Sequence, residues 1–134
     1  MPIQSRFLVR TALLYLVVGF TLGGLLLANK GYPLSAAIWG LRPLHAEILV
    51  MGWMVQFIMG VAYWILPRWH TSRGHPLWAW GAYGLLNLGI LLLVLVLLLD
   101  PSQLMLRILA RLAELAGIGA FLLNAWPRVK PLGA

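Results

Sequence analysis

Cysteine is absent from the chain, which excludes disulfides, iron–sulfur clusters and thiolate ligation of haem. Acid is almost as scarce. Glu47, Asp100 and Glu114 are the only acidic residues among 134, against ten Lys and Arg. Of the three histidines only His45 lies inside an apolar run, and no polar stretch is long enough for a soluble domain. What is there is overwhelmingly apolar, 62% hydrophobic with a mean hydropathy of +0.90, the composition of a small integral membrane protein. A net charge of +7 would admit a nucleic-acid partner, but the basic residues sit at the ends of apolar runs. A lipid bilayer is therefore the expected partner, and no nucleic acid. The first run has no convincing small-residue cleavage site and is long enough to stay as a helix, so no cleavable signal peptide is expected.

Four runs of spanning length predict an all-α, four-helix transmembrane bundle forming one domain over residues 1–134, with spans at about 7–28, 44–66, 77–99 and 104–126. Arg10 interrupts the first and can snorkel to the near interface, while Gly19 and Gly23 make a small-residue face suited to close helix packing. A connection over 29–40 follows, broken by Gly31 and Pro33, with Trp39 as an interfacial anchor. The loop from Pro67 to Pro76 holds His70 and His75 without a carboxylate or cysteine beside them, and reads as a solvated basic loop rather than a metal site. Trp78, Trp80 and Tyr83 open the third span as an aromatic belt. Asp100, Pro101 and Ser102 make a tight turn in which Ser102 can cap the fourth helix, so the last two helices form an antiparallel hairpin.

The second span carries the most informative pattern. Between Leu44 and Leu66 the only ionisable residues are His45 and Glu47, a costly pair in a bilayer. At helical spacing His45, Leu49, Gly52, Gln56, Met59, Gly60 and Tyr63 share one face. Gly52 lies two turns from the imidazole, where a missing side chain would let a flat macrocycle such as haem approach the backbone. The alternative is that Gly52 and Gly60 are helix-packing positions and that His45 bonds a neighbouring carbonyl.

The stretch LRPLH and its apolar continuation resemble the second transmembrane helix of subunit I in C-type haem-copper oxidases, and FIMGVAYWILP resembles the same helix in the related nitric oxide reductases. The resemblance covers Leu41 to Pro67, and where the family usually has Asn two residues after the histidine this chain has Glu47. It implies that His45 is an axial ligand of a low-spin haem b. In the fourth span Arg107, Arg111 and Glu114 fall in one stripe. The arginines are matched to haem propionates, or else Arg111 pairs with Glu114 while Arg107 snorkels outward. Arg6, Arg10, Arg68, Arg73, Arg128 and Lys130 flank one side and Lys30 and Arg42 the other, which predicts cytoplasmic termini, N-in and C-in. That orientation places His45, Arg42, Arg107 and Arg111 in the outer half of the membrane, where the resemblance also puts the haem.

One chain lacks the histidines for a haem-copper or haem-iron binuclear centre, so it cannot by itself be an oxidase or a nitric oxide reductase. The expectation is a haem b protein of the inner (cytoplasmic) membrane with His45 as metal ligand and Gly52, Arg42, Arg107 and Arg111 around the cofactor. A homodimer or higher homo-oligomer would supply the second axial ligand. Its work would be electron transfer or binding of a diatomic gas, NO or O2. The competing expectation is a haem-free accessory or assembly subunit of a respiratory complex. A quinol site near Glu47 and Gln56 is a third.

Overall fold

A computed structural model describes residues 1–68 and 73–129. All regular structure among the described residues is helical. Four helical elements follow one another: α1 (Ile3–Gly31), α2 (Ala36–Ile65), α3 (Pro76–Leu99) and α4 (Leu104–Ala125), the last closed by a short turn of 3₁₀ helix at Trp126–Arg128. Three of them, α1, α2 and α3, are long and apolar enough to cross a membrane, which suggests a membrane protein. The fourth, which carries Arg107, Arg111 and Glu114, is not among those three. His70 and Lys130 lie outside the described residues.

The helices pair as two hairpins, α1 with α2 and α3 with α4. Glycine notches bring each pair together. A side chain at Gly19 would run into Leu49, and one at Gly23 would meet the His45 ring at 2.8 Å. In return Tyr15 lies over Gly52 and Leu8 with Val9 over Gly60. In the second hairpin, Gly89 faces the Ala110 carbonyl and Gly117 faces the Leu86 backbone nitrogen. Such close approach is what dispersion and backbone contact between helices require. The Gly19–Gly23 face thus packs as its spacing predicts.

α2 is not a uniform helix. A 3₁₀ turn (Ala36–Leu41) leads into an α-helical turn (Arg42–Glu47), then a π-helical stretch (Ile48–Val55), then a regular α-helix (Gln56–Ile65). Its buried residues include Leu44, Ile48, Gly52, Gln56 and Gly60, one every four residues. A 3.6-residue helix would rotate such a series steadily off the packed face. The wider π turns take up that rotation, keeping the series inward.

Two loops differ from expectation. α1 runs on to Gly31, so the first connection is shorter than 29–40. Asn29 is buried and its side-chain oxygen accepts from the backbone nitrogens of Leu34 and Ser35, each at 2.9 Å, which folds the chain back at once. Ser102 does not cap α4. Its hydroxyl and backbone nitrogen both donate to Asp100, as does the Gln103 amide, and these bonds hold the Asp100 carboxyl below its ordinary pKa.

At the opposite end of the bundle Arg128 is buried. Its guanidinium donates to the carbonyls of Tyr63 and Leu66 at 2.8 Å and of Pro67 at 3.0 Å, and lies over the Tyr63 ring. These are the carbonyls a helix C-terminus leaves without partners. The end of α4 therefore caps the end of α2.

Candidate functional site

His45 sits one turn into the α-helical part of α2, half-buried against α1, with Nδ1 2.9 Å from the Gly19 carbonyl oxygen. A carbonyl oxygen can only accept, so Nδ1 carries the hydrogen. In the neutral ring Nε2 is then left with its lone pair. The bond to a neighbouring carbonyl is the packing alternative drawn from the sequence, and it is also the arrangement by which metal-binding histidines are commonly oriented.

Glu47, two residues on, points the other way. Its Oε2 is 2.8 Å from Arg111 Nη1, and the same nitrogen lies 2.7 Å from Glu114 Oε2. Both glutamates are buried, at 6% and 1% exposure, while the Arg111 side chain is half exposed. Each glutamate keeps one buried oxygen without a hydrogen-bond partner, and the buried Nε of Arg107 is unpartnered too. Two carboxylates on one guanidinium would leave an excess negative charge. Arg107 lines the same cleft as Arg111. The ion pair between Arg111 and Glu114 is the one read from the spacing. The tie to Glu47 on another helix is the part sequence reasoning missed, because nothing local in the chain brings residues 47 and 111 together.

The residues singled out from the sequence thus fall into separate places. His45 faces α1 and Glu47 faces α4, so the imidazole and the arginine stripe stand on different flanks of α2. The Gly52 notch holds the Tyr15 ring. Arg42 is exposed, its guanidinium 4.1 Å from the centre of the Trp39 ring. Gln56 has no exposed surface: its amide donates to the Leu8 carbonyl and accepts from Asn87, which in turn accepts from the Tyr15 hydroxyl at 3.0 Å. That chain of bonds runs between α1, α2 and α3 and does not include Glu47, which pairs with Arg111 instead. His75 caps α3, accepting from the Leu77 backbone nitrogen.

Beside the arginines lies a cleft of about 230 Å³, bordered by Pro43, Leu93, Leu97, Arg107 and Arg111. No group of three or more His, Cys, Asp or Glu placed to hold a metal ion occurs among the described residues. Comparisons of the chain with protein-family models, with curated proteins and with solved structures find no match.

Proposed function

We propose that this is a four-span protein of the inner (cytoplasmic) membrane, with both termini cytoplasmic, that binds haem b through His45 and serves electron transfer or diatomic-gas binding as a homodimer or higher oligomer. The observation that carries the reading is the bond from His45 Nδ1 to the Gly19 carbonyl. It fixes the tautomer and leaves the Nε2 lone pair free, the arrangement expected of an imidazole that ligates iron. Haem, when bound, supplies the one-electron chemistry or the gas site. What this chain supplies is an oriented imidazole with α1 behind it.

The remaining residues limit where a macrocycle fits. Tyr15 fills the notch at Gly52, and Arg111 Nη1 is shared by two glutamates, so neither of these two positions is open to the ring. The reading therefore rests on His45 and on a second copy, whose His45 would also help to hold the haem. Arg42, exposed at the same end of α2, remains available to a propionate, and Arg107 and Arg111 lie on the other flank.

The competing reading, a haem-free accessory or assembly subunit of a respiratory complex, draws on the same two facts, since Tyr15 and the ion-pair cluster satisfy those positions within the chain. Absorption spectra of the detergent-purified protein, oxidised and reduced, separate the two. Under the haem reading a Soret band is present, is lost in His45→Ala with helicity retained by circular dichroism, and persists when His70 and His75 are both replaced. A colourless parent protein, or full haem retention in His45→Ala, overturns it.

A further inference from the structure

We propose that the cleft beside Arg107 and Arg111 binds the phosphate of an anionic phospholipid. The inference rests on the chain spanning a bilayer and is independent of haem at His45.

Arg107 stands out among the described residues for a partly buried guanidinium. Its Nε is buried, yet no hydrogen bond reaches it. A buried guanidinium nitrogen left bare costs free energy that a bound anion would recover. Four residues on, Arg111 gives Nη1 to Glu47 and Glu114 on its buried side, while about half of its side chain stays exposed. The two guanidinium groups share one cleft, and forked donors of this kind match phosphate oxygens.

Depth and wall chemistry indicate a lipid as the source of the phosphate. Arg107 lies in the first turn of α4, about 5 Å from the helix start, near the level at which headgroups meet the acyl region. The other walls are Pro43, Leu93 and Leu97, all apolar and suited to the upper part of an acyl chain. The charged groups on the cleft wall are the two guanidinium groups, which favours an anionic headgroup over one that brings its own cation beside them.

The test uses the full chain. Parent protein, Arg107→Gln and, as a control from the other end of the bundle, Arg10→Gln are reconstituted into phosphatidylcholine vesicles with and without phosphatidylglycerol. Flotation with the vesicles is scored first, then retained lipid by native mass spectrometry. Because the Arg107 side chain makes no hydrogen bond among the described residues, its removal leaves no partner orphaned. The expected result is flotation of all three proteins with both vesicle types. Retained phosphatidylglycerol should fall by roughly ten- to a hundredfold in Arg107→Gln alone. Equal retention in Arg107→Gln and the parent overturns the proposal, as does displacement of the lipid by millimolar inorganic phosphate, which would make the cleft a plain anion site. Failure to float with either vesicle overturns the membrane reading, and the proposal with it.

Discussion

The charged residues of this chain are separated by what each would leave behind if removed. Arg111 holds two buried carboxylates, so Arg111→Gln strands both and is expected to cost about 3–5 kcal/mol, the usual result of removing one partner from a buried ion pair. Arg107→Gln strands nothing and should leave stability within about 0.5 kcal/mol of the parent. Both arginines sit on the same helix four residues apart, and the sequence treats them alike. Thermal or denaturant unfolding of the two variants in the same detergent checks the ranking. Equal losses would mean that the Glu47–Arg111–Glu114 cluster is not held as described.

At the level of the helices, glycine does two different jobs. Gly117 is pressed against backbone: an added methyl group would lie 2.7 Å from the Leu86 nitrogen and 3.1 Å from the Ala82 carbonyl oxygen. Backbone cannot step aside as a side-chain tip can, so Gly117→Ala should pry α3 from α4 and cost about 1–3 kcal/mol. Gly24, on α1, has nothing within 4 Å, and Gly24→Ala should be neutral or stabilise by up to about 1 kcal/mol through helix propensity. Unfolding midpoints of the pair measured together decide the matter, and a stabilising Gly117→Ala would contradict the close α3–α4 contact. The sequence pattern located Gly19 and Gly23 as packing positions from their spacing alone. It could not say that Gly24 is open, since one residue's step around a helix is only meaningful once the neighbouring helix is placed.

For the molecule as a whole, the two hairpins are joined by polar contacts as well as by apolar packing. Glu47 to Arg111, Gln56 to Asn87 and Arg128 to the end of α2 are spread along the length of the bundle. Such contacts add to what apolar packing between helices supplies. The basic residues Arg6, Arg10, Arg68, Arg73 and Arg128 gather at the end where α1 begins and α4 finishes. On that distribution, reporter fusions at either terminus should be active only with a cytoplasmic reporter. Activity of an outer-compartment reporter at either end would reverse the orientation and move His45 to the inner half.

Helical content, the four segments and the α3–α4 hairpin were legible in the sequence, because apolar run length and turn residues such as Asp100–Pro101 are local signals. The Arg111–Glu114 pair was legible for the same reason, being three residues apart on one helix. Only the tertiary structure decided where the second span's polar residues face. A regular helix placed His45, Gly52 and Gln56 in a single open stripe, whereas the π-helical stretch from Ile48 to Val55 changes the phase between the ends of α2. His45 goes to Gly19, Gly52 to Tyr15, and Gln56 to Leu8 and Asn87. Likewise Glu47 found its counter-charge on a helix more than sixty residues away. The physical reason is common to both. Helix phase and interhelical partners depend on the packing of distant segments, and composition and periodicity within one segment carry no information about that packing.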